Sequence, residues 1–195
     1  SGSSGFIAQS VCPLGRFKSK EELVDALQRF LDLSPEGKCS DGPHAIVRWD
    51  VSAVIEMNGL FYHRYSFNGD ISKWDVSRVK ATALMFKGAT SFNSDLSTWD
   101  VSSVIEMFGM FKGAWDFNCN ISKWDTSSVR NMARMFNNAV SFNGDLSKWD
   151  VSRVKDMDSM FLGAASFACD LSKWDVSSVT NMEGMFWDAT AFNAD

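Results

Sequence analysis

Tryptophan recurs at a constant interval of 25 residues along most of the chain. When each of these tryptophans is counted as position 0 of a copy, Asp occupies position 1, Ser position 3, Val position 5 and Phe positions 12 and 18 in all six copies. A period of about 20 to 50 residues is typical of repeat proteins, in which each unit buries its apolar face only against its neighbours. We therefore predict a stack of six copies, with the recurring tryptophans as a structural ladder. They are Trp49, Trp74, Trp99, Trp124, Trp149 and Trp174.

Apolar spacing within a copy suggests its local structure. Val104, Met107, Met110, Phe111 and Ala114 follow the spacing of a short helix or 3₁₀ segment. The segment 95–99 precedes it and is short enough for a strand that pairs in parallel with neighbouring copies. The predicted fold is an α/β solenoid with one short parallel strand and one short helix or 3₁₀ turn per copy, and a β-solenoid is the alternative.

One stretch of the chain carries a resemblance to a known family. Residues 142–164 contain the pattern Phe-Asn-x-Asp-Leu-Ser-x-Trp-Asp-Val-Ser-x-Val-x-x-Met-x-x-Met-Phe-x-x-Ala. The pattern resembles the repeat of BspA-like surface proteins, a family related to leucine-rich repeats, and the resemblance covers residues 44–195. It implies a leucine-rich-repeat-like fold, a role in adhesion or protein interaction, and an extracellular or cell-surface location.

The residues before the repeats are predicted to form a cap. Residues 1–5 resemble a linker added for expression, residues 6–43 form the cap, and residues 44–195 hold the six copies, of which the last is incomplete. Ser19 and Glu22 form a capping box, and the helix that follows has one apolar face. We expect this helix to cover the first copy, while the uncapped edge of the last copy could pair with another chain. The apolar face consists of Leu23, Ala26, Leu27, Phe30 and Leu31.

Composition argues against several classes of function. The 19 basic and 24 acidic residues give a net charge of -5, which favours neither nucleic acid nor an anionic membrane surface as a partner. No run reaches the ~18 to 20 apolar residues that a membrane-spanning helix needs, so we expect no membrane insertion. The only histidines are His44 and His63, and no nucleophile or phosphate-loop motif occurs. We therefore expect no catalysis and no cofactor, with an enzyme of unknown reaction as a remote alternative.

The aspartates at position 1 form the most conspicuous polar column. Stacking would bring like charges about 5 Å apart, at a cost of roughly 0.8 kcal/mol per pair in water. We expect each carboxylate to accept hydrogen bonds from its own turn. The alternative is a row of cation sites, such as calcium sites, although the dense Asp-x-Asp-x-Asp spacing of calcium loops is missing. The candidate ligands of that alternative are Asp75, Asp100, Asp125 and Asp150.

The four cysteines fall into two pairs. Cys119 and Cys169 share position 20 but are two copies apart, hence about 10 Å, which exceeds the ~7 Å limit for a disulfide, so free thiols are expected. Cys12 and Cys39 flank the cap helix and could form a disulfide, which would favour an oxidising compartment. The sequence leaves that pairing open.

Residues that depart from the repeat are the candidates for recognition. Recurring columns build the core, whereas positions that differ between copies face outward and can specify a ligand. Exposed aromatic side chains mark binding surfaces, although some could instead fill gaps between copies. The leading hypothesis is a non-enzymatic module that binds an unknown protein or glycan through an aromatic face. The residues of this face are Tyr62, Tyr65, Phe108, Trp115 and Trp187.

Overall fold

The computed structural model describes residues 15–38 and 45–193. Its regular elements are one α-helix, α1 (Lys20–Leu33), and a single-turn 3₁₀ helix (Ile46–Arg48) before the first copy. Cys12 and Cys39, whose pairing the sequence leaves open, lie outside the described residues. The rest of the described chain consists of turns and isolated parallel bridges.

Helix α1 begins where its capping residues predict. The side chain of Ser19 accepts a hydrogen bond from the backbone N–H of Glu22, and the Glu22 carboxylate accepts one from the N–H of Lys18. The apolar face predicted from the sequence is confirmed, since all five of its residues are buried. Amphipathic spacing and a capping box were therefore sufficient to place this helix.

The cap segment packs against the first copy through aromatic rings. The ring of Trp49 lies 5.1 Å from that of Phe17 and 5.5 Å from that of Phe30. The backbone N–H of Phe17 donates to the carbonyl of Asp50 at 2.9 Å. Residues from both sides of the start of α1 thus cover the first tryptophan of the column.

Successive copies are joined by backbone hydrogen bonds. The N–H groups at positions 8, 10, 12 and 14 each donate to a carbonyl 24 residues further along the chain, as in Met107 to Asn131 at 3.0 Å. The N–H groups at positions 11, 13 and 15 instead donate three residues back, as in Met110 to Met107 at 3.2 Å. Parallel bridges at position 7 extend the series. They connect Glu56, Ala81, Glu106, Asn131, Asp156 and Asn181 in that order.

The local structure of a copy differs from the expected strand and helix. Residues 107–114 form consecutive turns rather than a helix, because alternate N–H groups bond to the next copy and Gly109 and Gly113 have φ values of 56° and 68°. Residues 95–99 form a turn rather than a strand, since the N–H of Ser97 donates to the Asp95 carboxylate at 2.8 Å. Parallel pairing occurs instead at position 7.

Aromatic columns occupy the core of the stack. The phenylalanines at positions 12 and 18 of one copy lie face to face, as in Phe136 and Phe142, whose centroids are 4.0 Å apart. The same Phe136 ring lies 5.6 Å from Phe161 of the next copy and is nearly parallel to it. We propose on this basis that each copy forms one turn of a solenoid.

The recurring tryptophans lie along one side of this core. The indole N–H of Trp124 donates to the carbonyl of Leu96 at 3.0 Å, and Trp74, Trp99, Trp149 and Trp174 make the equivalent bond 28 residues back. Trp49 is also buried, but its indole nitrogen has no hydrogen-bond partner in the structure described. Each later tryptophan therefore ties its own copy to the chain 28 residues earlier, one full period and three residues back.

Candidate functional site

The aspartate columns are engaged in local turns. The Asp150 carboxylate accepts hydrogen bonds from the N–H and the hydroxyl of Ser152 at 3.0 and 2.7 Å, and Asp75 and Asp100 bind Ser77 and Ser102 in the same way. These bonds, first of all the one from the serine hydroxyl, hold the pKa of Asp150 below its ordinary value. Asp125 repeats the arrangement with Ser127.

The same aspartates are spaced one to a turn. Within residues 15–38 and 45–193, no group of three or more His, Cys, Asp or Glu side chains is arranged to hold a metal ion. One oxygen of each position 1 carboxylate already accepts bonds from its own turn. The geometry assigns these carboxylates a structural role.

The asparagines at position 19 form a second polar ladder. The side-chain oxygen of Asn93 accepts a hydrogen bond from the backbone N–H of Asn118, at 2.8 Å, and Asn118 does the same for Asn143. In the fifth copy Ala168 replaces asparagine, and its N–H still donates to Asn143. The ladder supplies acceptors to backbone groups of the next copy.

The thiols at position 20 are free and structural. The sulfur of Cys119 accepts a hydrogen bond from the N–H of Leu96 at 3.1 Å, and that of Cys169 accepts one from Leu146 at 3.3 Å. Burial raises the pKa of both thiols. Such thiols are poor nucleophiles near neutral pH.

Most of the aromatic residues that break the repeat are exposed. The exposed fractions of Tyr62, Tyr65, Trp115 and Trp187 are 44%, 60%, 56% and 69%. Phe108 is only half-buried, and the guanidinium of Arg134 lies 5.8 Å from its ring centroid. These large side chains are therefore not part of the core that the recurring residues form.

Tyr65 and Trp115 line a shared groove of about 480 Å³. Both residues occupy position 16, two copies apart, and Thr90 occupies the same position between them. We call this feature the aromatic groove. Its main side chains are His63, Tyr65, Lys87, Thr90, Lys112 and Trp115. A small residue between two large rings leaves an open space above the middle copy.

Two glycines at position 14 form the floor of the aromatic groove. Gly88 and Gly113 have φ values of 70° and 68°, which favour glycine. A Cβ atom on Gly88 would lie only 2.7 Å from Nδ1 of His63. His63 and Asn138 hold the same position in the flanking copies. The His63 side chain lies over Gly88, whereas a Cβ atom on Gly113 would meet no atom closer than 3.8 Å, so the floor is open at Gly113.

Two lysines at position 13 give the aromatic groove a positive charge. The Lys87 ammonium donates to the Tyr62 hydroxyl at 3.0 Å and lies 4.7 Å from the centroid of that ring. The pKa of Lys112 is lowered, mainly by burial and then by the charges of Arg134 and Lys87. Neither lysine forms an ion pair in the described part of the chain.

The structure thus divides the predicted aromatic face. Tyr65 and Trp115 lie in the aromatic groove, and Tyr62 contacts it through Lys87. Trp187 lines a separate hollow with Arg134 and Asp158, which form an ion pair at 2.9 Å. Phe108 lines neither space.

Sequence reasoning missed the residues between the aromatics. Lys87, Lys112, Gly88 and Gly113 belong to the aromatic groove but were not predicted. A signal was present, because the two lysines and the two glycines occupy positions 13 and 14 of the same two copies. Recognising it required knowing that positions 13, 14 and 16 share one face.

The last copy presents an apolar edge. Val176 and Met182 are 39% and 40% exposed, whereas the residues at the same positions of the inner copies, such as Val151 and Met157, are buried. A hollow of about 480 Å³ at this edge is lined by Trp174 and Phe186 among others. This is the edge at which self-association was predicted.

The comparisons with known proteins place the chain in a family. The family model DUF285, described as "Mycoplasma protein of unknown function", matches residues 36–127 and 115–195. Since the matches cover more than half of the sequence, the chain belongs to this family. No curated protein and no solved structure matches it. No helix among the described residues is long and apolar enough to cross a membrane.

Proposed function

We propose that this member of the DUF285 family is a non-enzymatic repeat module that binds a protein or glycan at the aromatic groove. The observation that carries the proposal is the pair of exposed rings, Tyr65 and Trp115, on either side of a glycine floor. Exposed aromatic side chains in a concave site are typical of binding surfaces, since they gain much contact area when a ligand covers them.

The distribution of polar groups supports binding rather than catalysis. The aspartates repeat in every copy and are hydrogen bonded to their own turns, whereas an active site is normally built once. In the aromatic groove the one histidine, His63, packs edge-on against the rings of Tyr62 and Tyr65 at 4.3 and 5.4 Å. It serves as part of an aromatic wall.

The resemblance of the repeat to BspA-like surface proteins supports an adhesive role. We propose an extracellular or cell-surface location on that ground, with neither nucleic acid nor membrane insertion involved. The leucine-rich-repeat-like character of the stack belongs to the same proposal. The apolar edge of the last copy is proposed as a second contact surface, for self-association.

The test is a screen of immobilised glycans and extracellular proteins with the wild-type protein and the double variant Tyr65→Ala/Trp115→Ala. We expect a ligand that the wild type retains and the double variant loses. Trp187→Ala is the matched control, since it removes an exposed ring outside the aromatic groove and should retain the ligand. Equal binding by wild type and double variant, or no ligand at all, would refute the proposal.

A further inference from the structure

We propose that the aromatic groove binds an anionic oligosaccharide, a sugar chain that carries carboxylate or sulfate groups. This inference rests on the proposed function and names the ligand class of the same site. It follows from three properties of the groove: the spacing of its rings, the two lysines that form no ion pair among the described residues, and the open floor at Gly113.

The spacing of Tyr65 and Trp115 suits a chain of flat, rigid rings. The two residues are separated by two copies, hence by about 10 Å if each copy advances by one strand spacing of ~4.8 Å. This distance is close to the length of a disaccharide. Aromatic side chains pack against the apolar faces of sugar rings, so the two residues can hold alternate sugars of one chain.

The charge of the aromatic groove specifies an acidic sugar. The protein as a whole is acidic, with a net charge of -5, yet Lys87 and Lys112 face the groove and form no ion pair in the part of the chain that the structure describes. Burial and then the charges of Arg134 and Lys87 lower the pKa of Lys112, while the charge of Asp158, which is paired with Arg134, acts in the opposite direction. An anionic group between the lysines would relieve that repulsion.

The glycine floor leaves room for sugar substituents. Gly88 and Gly113 both line the groove, and the floor is open at Gly113, where a Cβ atom would meet no atom closer than 3.8 Å. The hydroxyl of Thr90 is held by the carbonyl of Tyr65 at 3.0 Å, so it stays out of the open space. An acidic peptide would need pockets for its side chains, whereas this groove offers two exposed rings and a smooth floor.

Calorimetric titration with short oligomers tests the inference. The probes are a heparin hexasaccharide, which is sulfated, and a galacturonate hexamer, which is carboxylated. Cellohexaose serves as the uncharged sugar and hexaglutamate as the acidic peptide. We expect at least one anionic sugar to bind, and both cellohexaose and hexaglutamate to bind at least about tenfold more weakly.

Matched variants separate the aromatic groove from general charge attraction. Trp115→Ala or Tyr65→Ala should weaken binding of the anionic sugar about tenfold, and Lys112→Ala should weaken it several-fold. Lys80→Ala removes the same charge from a different hollow, lined by Arg130 and Arg153, and should change binding less than about twofold. Trp187→Ala should behave like Lys80→Ala. Unchanged thermal midpoints confirm that the variants fold.

Several results would overturn the inference. Equal binding of hexaglutamate, equal binding of cellohexaose, or equal losses for Lys80→Ala and Lys112→Ala would each contradict an anionic sugar in the aromatic groove. If the screen of immobilised ligands still yields a ligand that depends on Tyr65 and Trp115, the proposed function survives and only the ligand class is wrong. If it yields none, both fail.

Discussion

At the scale of single residues, the recurring indole and carboxylate groups have partners that the repeat supplies, except for the indole N–H of Trp49 among the described residues. The indole N–H of Trp124 reaches back to the carbonyl of Leu96, and the carboxylate of Asp150 binds the serine two residues ahead. The buried indole N–H contributes to stability mainly because leaving it unpaired is costly, whereas the exposed Asp150 carboxylate fixes its own turn. The most conspicuous residues of the sequence therefore stabilise the stack.

The indole hydrogen bonds can be tested by replacing one tryptophan with phenylalanine. Trp124→Phe leaves the carbonyl of Leu96 without its donor and should lower the free energy of unfolding by about 1 to 3 kcal/mol. Trp49→Phe is the matched control, because the indole nitrogen of Trp49 has no partner in the described residues. Urea unfolding measures both variants. An equal or greater loss for Trp49→Phe would contradict the role of the bond.

The aspartate turns predict the response to acid. Hydrogen bonds from Ser127, Ser152 and Ser177 hold the pKa values of Asp125, Asp150 and Asp175 below the ordinary value. Groups with a depressed pKa contribute stability that is fully present above the ordinary value, near ~4, and is lost as the pH falls through the pKa of the folded state. We therefore expect the free energy of unfolding to fall between about pH 5 and pH 2.

Asparagine provides the control for this pH dependence. Asn120 stands at the position that Asp95 and Asp145 occupy in neighbouring copies, and it makes the same bonds to Ser122 at 3.1 and 2.7 Å. Replacing Asp125, Asp150 and Asp175 together with asparagine keeps an acceptor in each turn but removes three titrating groups. Urea unfolding of this variant at pH 5 and pH 2.5 should give a smaller difference than the wild type gives. Equal differences would refute the assignment.

At the scale of elements, the turn segment from position 7 to position 16 determines where the site lies. Its apolar spacing is typical of a helix, yet a helix would use every N–H within the segment, whereas here alternate N–H groups bond to the next copy. The sequence could not show whether these N–H groups bond within the segment or to the next copy, since a helix and a series of turns would bury the same apolar side chains. The cap helix was predictable because Ser19 and Glu22 mark its start and no neighbouring copy competes for its backbone.

Left-handed residues make this segment sensitive to substitution at position 14. Gly88→Ala places a methyl group 2.7 Å from Nδ1 of His63, whereas Gly113→Ala has no contact closer than 3.8 Å. In both variants alanine must adopt a positive φ, which lowers the free energy of unfolding by about 1 kcal/mol. Gly88→Ala should lower it further, because of the contact with His63. Thermal unfolding measures the difference.

The histidine itself supplies the control for this comparison. In a His63→Ala background the clash disappears, so the added cost of Gly88→Ala should fall to that of Gly113→Ala. A cost that stays the same in both backgrounds would mean that His63 does not close this end of the groove floor.

At the scale of the whole molecule, the recurring residues build the stack, whereas residues that depart from the repeat line the aromatic groove. The 25-residue period identified the copies and their aromatic columns, because identical residues at identical positions stack. It also singled out Tyr65 and Trp115 as exceptions that line one groove. It could not separate Trp187 or Phe108 from them, since the distance between columns on the surface depends on the turn geometry.

A stack of equivalent copies should tolerate the loss of one copy. Deleting residues 150–174 removes one full period. It joins Trp149, at position 0, to Asp175, at position 1, so the pattern of the repeat continues without a break. The shortened protein should fold, with a smaller denaturant m-value because less surface is exposed on unfolding. It should keep the aromatic groove, which lies in earlier copies. Deleting only residues 150–161 breaks the register and should prevent folding, and a folded product would contradict the stack.

Hydrogen exchange of the tryptophan indole N–H groups, followed by NMR, tests the central claim most directly. The account predicts slow exchange for Trp74, Trp99, Trp124 and Trp149, whose N–H groups are buried and hydrogen bonded to carbonyls 28 residues earlier in the chain. It predicts fast exchange for Trp115 and Trp187, which are 56% and 69% exposed. Protection of Trp115, or fast exchange along the column, would contradict the division between residues that build the stack and residues that are free to bind.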